Sequence, residues 1–237
     1  MEKDKLSIIG GTGDIGSNII KDLSKKYDII NIYRNEQKNE LLKETLLDSF
    51  KLDLTNKEEI PKVIKKVFEK HPKISKVIFA NGEMINNMFI TTSNEEIEQS
   101  IFINLESLLL VSREIYKQLL KNKKVTKNVV YISSVAGEMG NNGQVLYSTV
   151  KGSVFPLVKS LSREYAKKGI IVNSLSLGLV ENTKMEKELI ESKKVLIKEH
   201  IPLKRFCNFD DINLSLYFLL ETNYYTGQIL SLNGGLF

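Results

Sequence analysis

Short apolar runs alternate with longer amphipathic stretches along the whole chain. Runs bounded by turn residues predict strands at Leu6–Ile9, Ile29–Tyr33, Ser49–Asp53, Lys76–Ala80, Asn128–Ser133, Ile170–Leu175 and Ile229–Leu232. Apolar positions recurring every three to four residues predict helices over Asp14–Lys26, Lys57–Lys70, Asn94–Leu120, Val145–Lys168, Lys184–His200 and Phe209–Leu220. Val77-Ile78-Phe79 is apolar at every position, which suits a strand covered on both faces. This βαβ rhythm predicts an α/β fold: a single Rossmann-type domain, with a doubly wound parallel sheet of about seven strands and helices on both faces. Ligands of such sheets bind beyond the carboxyl ends of the strands. The residues just after each strand are therefore the candidates for chemistry.

Length and composition narrow this picture without redirecting it. A chain of 237 residues suits one α/β domain and is short for two. With 42% hydrophobic and 27% charged residues it has material for a sizeable core. Apolar runs such as Leu108–Val111 fall far short of a membrane span, and the segment Met1–Lys5 reads as the approach to a strand rather than a signal peptide. Cys207 is the single cysteine, which excludes an internal disulfide and points to a reducing, cytoplasmic setting. His71 and His200 are not at ligand spacing, so no metal site is expected. Net charge is +5, but the basic residues are scattered in pairs such as Lys25-Lys26 and Lys167-Lys168. They read as solvated helix faces, so neither nucleic acid nor membrane is an expected partner.

The first strand runs into Gly10-Gly11-Thr12-Gly13-Asp14-Ile15-Gly16, and a helix follows. Glycines here let the chain turn sharply and let backbone approach a pyrophosphate, which the N–H groups of the next helix then hold. A Gly-rich run is a weak signal alone, but the strand-to-helix context is the one that binding requires. Asp14 is expected to point away from the phosphates. At the end of the second strand stand Tyr33 and Arg34. Arginine suits the 2′-phosphate of NADP(H). NAD(H) is not excluded, since Glu36 stands where an acidic residue could take a ribose 2′-hydroxyl.

Tyr147 and Lys151 are four residues apart on a predicted helix, so phenol and ammonium share one face. A cation beside a phenol favours the phenolate and is expected to lower its pKa, which suits acid–base work. Ser134, just past the fifth predicted strand, offers a hydroxyl to a substrate oxygen. Asn104, Asp53 and Ser134 each have a plain structural alternative as helix bridge, turn residue or small residue in a tight turn.

Taken together, Gly10–Gly16, Asp53-Leu54, Asn104-Leu105, Ile132–Gly137, Tyr147–Lys151, Val172–Ser174, Ile201–Phe206, Thr226–Gln228 and Asn233–Gly235 make the chain resemble the short-chain dehydrogenase/reductase family over nearly its whole length. It is most similar to the 3-oxoacyl-acyl-carrier-protein reductases and their relatives. The resemblance implies that Tyr147 is the acid–base residue and that Lys151 lowers its pKa and binds the nicotinamide ribose. Ser134 would steady the substrate oxygen, and Asn104 would hold a water linking Lys151 to solvent. Asp53 would bind the adenine amino group with Leu54 beside it, and Ile15 and Gly16 would lie under the pyrophosphate. Ala80, Asn81 and Gly82 would line the cofactor cleft, Val180 after Gly178 would meet the carboxamide, and Thr183 stands one place beyond the usual phosphate-binding threonine. An NADP(H)-dependent carbonyl reductase or alcohol dehydrogenase is implied. The alternatives are a reductase of a nucleotide-linked sugar or small ketone and, from another class, a non-catalytic dinucleotide sensor.

The glycine run departs from the family pattern, as do Ala80-Asn81-Gly82 in place of Asn-Ala-Gly and Leu177-Gly178 in place of Pro-Gly. No reacting group is lost. By analogy, residues 181–205 form a lid over a small carbonyl or alcohol substrate, for which acyl carrier protein is a candidate carrier. Glu138–Leu146 and Met84–Met88 would form the other walls. A homodimer or homotetramer is implied, with the two long predicted helices and the tail Gly235-Leu236-Phe237 at its interfaces.

Overall fold

The computed structural model describes residues 3–84, 87–124 and 126–237. Among them seven strands form one parallel sheet: β1 (Lys5–Ile9), β2 (Asp28–Tyr33), β3 (Asp48–Lys51), β4 (Ile74–Phe79), β5 (Lys127–Ser134), β6 (Ile170–Leu177) and β7 (Ile229–Leu232). Their order is β3-β2-β1-β4-β5-β6-β7. The order reverses between β1 and β4, and that reversal opens a crevice at the carboxyl ends of the strands.

Alternate residues of each strand feed two cores. Val77, Phe79, Val129, Tyr131 and Val172 face one side. There they meet α3 (Glu59–Lys70), α5 (Ser107–Leu119) and α8 (Val154–Tyr165). Ile78, Val130, Ile132 and Leu175 face the other side, against α1 (Asp14–Leu23) and α11 (Phe209–Glu221). Burial on both faces explains why the central strands carry consecutive apolar residues such as Val77-Ile78-Phe79 and Ile170-Ile171-Val172.

Three predicted helices are interrupted, two of them for a local reason. Asn94–Leu120 becomes α4 (Asn94–Ile101), a π-helical turn at Phe102–Glu106, and α5. The Asn104 side-chain amide donates to the Ser100 carbonyl (3.1 Å), the group an α-helix would pair with the Asn104 backbone. Val145–Lys168 divides into α7 (Val145–Gly152) and α8, followed by a 3₁₀ turn at Ala166–Lys168. Pro156 has no N–H to give the Gly152 carbonyl, and the Lys151 carbonyl instead accepts from the Ser133 hydroxyl at 2.8 Å. Lys184–His200 is two helices, α9 (Lys184–Lys187) and α10 (Glu191–His200).

Two smaller differences concern the segments after β2 and β3. The third strand ends at Lys51, so Asp53 lies beyond it rather than at its end. A short helix, α2 (Glu36–Glu40), follows β2 and is capped by Asn35, whose side chain accepts from the Lys38 N–H. The remaining helix, α6 (Ala136–Met139), lies between β5 and α7.

Candidate active site

The chemistry gathers where β1, β4, β5 and β6 end. The first element there is the glycine loop. Gly10 has φ +83°, and a Cβ on it would lie 2.8 Å from the Asn81 backbone. A Cβ on Gly11 would strike Asn31 Oδ1, and one on Gly16 would lie 2.5 Å from the Gly10 carbonyl. Gly13 meets no such crowding: its Cβ would sit 3.5 Å from the Gly10 carbonyl. Crowding within the protein therefore explains Gly10, Gly11 and Gly16, while Gly13 faces open space.

Gly13 is the N-cap of α1 and supplies no side-chain cap, which leaves first-turn N–H groups for a ligand. Thr12 is buried beside it, and Ile15 packs half-buried on the second core. The Oδ1 of Asn81, behind Gly10, is buried without a hydrogen-bond partner, and Ala80 continues β4 by donating to the Ile9 carbonyl. An uncapped helix start, a cradle that a Cβ would fill and an orphaned polar atom together fit the pyrophosphate and ribose of a dinucleotide. The Asp14 carboxylate is directed elsewhere, to the Lys184 backbone N–H at 2.6 Å.

At the far end of the crevice, Tyr33 donates to Glu36 (2.8 Å), and Lys51 lies 3.9 Å from the same carboxylate. Burial, followed by that bond to Glu36, pushes the Tyr33 phenol up to about 12. Glu36 is thus already engaged, whereas Arg34 is exposed. The Asp53 carboxylate accepts from both N–H and hydroxyl of Thr55, so it also serves its turn. Those bonds and the Arg34 charge outweigh partial burial and hold it below the usual carboxylate range. Leu54 packs half-buried on the first core.

α7 carries Tyr147 and Lys151 on one buried face. Close backbone contact seats this helix, for a Cβ on Gly137 would lie 2.6 Å from the Gly152 nitrogen. Burial pushes the Tyr147 phenol up, and a hydrogen bond with Ser134 acts in the opposite direction. The lowering anticipated from the nearby lysine is therefore not what this arrangement produces, because burial disfavours the phenolate more. Burial also pushes Lys151 down to about 8. Among the described residues its ammonium is within hydrogen-bond reach of the Ile132 carbonyl alone, at 3.5 Å.

Asn104 and Lys151 face each other across Gly82, where a Cβ would lie 2.7 Å from the lysine Nζ and 3.3 Å from the asparagine Oδ1. Asn104 also clamps Glu83, accepting from its N–H and donating to its carbonyl, both at 2.9 Å. Neither Ser133 nor Glu83 is distinguished by residue type or spacing, yet they fix α7 and the β4 loop.

On the nicotinamide side, Gly178 extends the β6–β7 pairing through its N–H to Leu232. Val180 is buried and bridges to Cys207. Thr183 caps α9, accepting from the Glu186 N–H and donating to the Val180 carbonyl. Burial pushes the Cys207 thiol up to about 12, so it is no nucleophile. The two expected substrate walls meet at Gln144, which lies 3.5 Å from the Met84 sulfur. Residues 85 and 86 of the expected wall lie outside the described residues.

A doubly wound sheet with this glycine loop and a half-buried serine beside a buried tyrosine and lysine defines a dinucleotide-dependent type of site. A family model described as short chain dehydrogenase matches residues 5–194. The 3-oxoacyl-[acyl-carrier-protein] reductase of Rickettsia felis is 31% identical over 235 residues, covering 97% of this chain and 95% of that one. A short-chain type dehydrogenase/reductase from Mycobacterium ulcerans superposes with a TM-score of 0.90 at 20% identity, covering 100% of this chain and 90% of the other. A variant of ElxO with NADPH bound gives 0.89 at 23% identity, covering 100% and 99%. The chain belongs to the short-chain dehydrogenase family and is an oxidoreductase.

Among the described residues no helix is long and apolar enough to cross a membrane, and no group of three or more His, Cys, Asp or Glu is placed to hold a metal ion.

Proposed function

We propose that the protein is an NADP(H)-dependent carbonyl reductase acting on a 3-oxoacyl thioester, with Tyr147 as its acid–base group. The observation that carries this reading is a trio: half-buried Ser134 hydrogen-bonded to buried Tyr147, with buried Lys151 one helical turn on and without a carboxylate partner among the described residues. The bound dinucleotide supplies the hydride. Tyr147 donates its proton to the substrate oxygen as negative charge develops there, and Ser134 donates a hydrogen bond to the same atom. Burial keeps the phenol protonated beforehand. It would equally penalise the phenolate left behind, and the Lys151 charge offsets that penalty. Asn104, across Gly82 from Lys151, is placed to hold the water that returns a proton to the site.

Arg34 is the exposed cation at the ribose end, while Glu36 is engaged by Tyr33, which favours the 2′-phosphorylated cofactor. The acyl-carrier-protein-linked substrate is supported by the names of relatives such as the Rickettsia felis protein. Assembly as a dimer or tetramer belongs to the same proposal, and light scattering on the purified protein tests it.

The test of the function is a fluorescence titration with NADPH and NADH, followed by turnover with a carbonyl panel that includes an acetoacetyl thioester. Tighter NADPH binding and thioester turnover support the reading. Preference for NADH overturns the Arg34 argument. Cofactor binding without turnover of any carbonyl favours a sensor instead.

A further inference from the structure

The lid is weakly attached to the rest of the protein. Its base is tied down by the Val180–Cys207 bridge, the Glu181 N–H to the Cys207 carbonyl and the Leu203 N–H to the Gly234 carbonyl. Between those anchors, neither α9 nor α10 contains a fully buried residue. Elements with so little apolar burial open at low cost. Among the described residues one hydrogen bond joins this segment to the glycine loop: Asp14 Oδ2 accepts from the Lys184 N–H at 2.6 Å, across 170 positions of sequence. Lys184 is the first residue of α9, and the N–H two residues on, of Glu186, is taken by the Thr183 hydroxyl. Asp14 is also the first residue of α1. One carboxylate therefore stands between the starts of two helices, in the loop whose remaining donors fit a pyrophosphate.

We propose that Asp14 is a positioning residue that holds α9 over the glycine loop and thereby slows entry and exit of the dinucleotide. The inference rests on the cofactor reading above. Two separable effects follow from one side chain. The acceptor oxygen holds α9 through a charge-assisted hydrogen bond. The negative charge, sited at the first turn of α1, opposes an anion that binds there.

Asp14→Ala removes both effects, while Asp14→Asn keeps an acceptor for Lys184 and removes only the charge. Hydrogen exchange on cofactor-free protein should show amides 184–188 exchanging about tenfold faster in Asp14→Ala and at an intermediate rate in Asp14→Asn, whose neutral acceptor makes a weaker bond. Stopped-flow fluorescence with NADPH should show association and dissociation both several-fold faster in Asp14→Ala. In Asp14→Asn, NADPH should bind more tightly at low salt, with the gain disappearing at high salt. Equal exchange at 184–188 in all three proteins overturns the proposal, as does an Asp14→Asn protein that opens as readily as Asp14→Ala. If the unaltered protein binds neither NADPH nor NADH, the cofactor reading fails; the exchange measurement needs no cofactor and still decides whether Asp14 holds α9.

Discussion

Of the three lysines buried among the described residues, Lys76, Lys127 and Lys151, the first and last lie at opposite ends of the same sheet and are held in opposite ways. Lys76 sits in β4 near the amino ends of the strands, 5% exposed. Its ammonium donates to the Leu220 carbonyl at 2.5 Å and lies 3.5 Å from Glu221 and 3.8 Å from Asp4. Burial lowers its pKa, but the two carboxylates pull it back up. Lys151, at the carboxyl ends, is 9% exposed. It has one carbonyl at 3.5 Å, and nothing counters the effect of burial. A lysine that only supports the fold is supplied with partners, because an unpaired buried charge is costly. A lysine left short of partners in a crevice marks a place where a ligand completes the set.

Replacing Lys151 should have the largest effect. Lys151→Met should lower kcat/KM by about 10²–10⁴-fold, while thermal unfolding at pH 7 shows a midpoint unchanged or raised, since a poorly paired buried charge is gone. A marked fall in stability would show that Lys151 is structural after all, like Lys76.

The pH dependence sharpens the same point. Lys151 carries its proton below about 8 and loses it above. Reduction measured as kcat/KM should therefore be level at lower pH and fall by up to about tenfold per unit above 8, as follows from titration of one essential cation. Stability should move the other way. Because the folded-state pKa lies below the ordinary lysine value of 10.5, the unfolded chain holds more protons between those pH values, and the Lys151 contribution to stability rises with pH across that window. A rate that stays level past pH 9 would contradict the role given to this charge.

Arg34 extends the comparison to the rim of the same crevice. Arg34→Ala should weaken NADPH binding by about tenfold, in line with loss of one charge-assisted contact, and leave NADH binding unchanged; parallel fluorescence titrations check this. Lys76→Met should have the smallest effect on the reaction. Catalysis should be retained, with a loss of about 1–2 kcal/mol in chemical denaturation, because the Leu220 carbonyl and two partly exposed carboxylates lose their partner.

The same contrast explains what could be read in advance. Strands β4, β5 and β6 are legible because burial on both faces gives each a run of consecutive apolar residues, and α3 and α11 because one apolar stripe faces the sheet. The short polar helix α2 offered no such stripe. Of the three helix interruptions, only the one before Pro156 carries a signal in the chain, its missing N–H; the π turn depends on where the Asn104 side chain points. Tyr147, Lys151 and Ser134 stood out because their spacing along a helix and past a strand is itself the chemistry. The rest of the site is made of contacts between remote segments: Asp14 with Lys184, Ser133 with the Lys151 carbonyl, Asn104 with Glu83. No local pattern encodes such pairs. The direction of the Tyr147 shift was misjudged for a related reason, since spacing reveals the neighbouring charge but not the depth of burial.

The central claim is that the trio at the end of β5 and on α7 performs proton transfer to a carbonyl. The most direct test is Tyr147→Phe, examined by NADPH binding and by thioester-dependent NADPH oxidation on the same preparation. Unchanged binding with oxidation reduced at least a thousandfold, within the range for loss of an acid–base group, is the result expected. Oxidation that persists near the unaltered rate would show that the proton comes from elsewhere and would contradict the account.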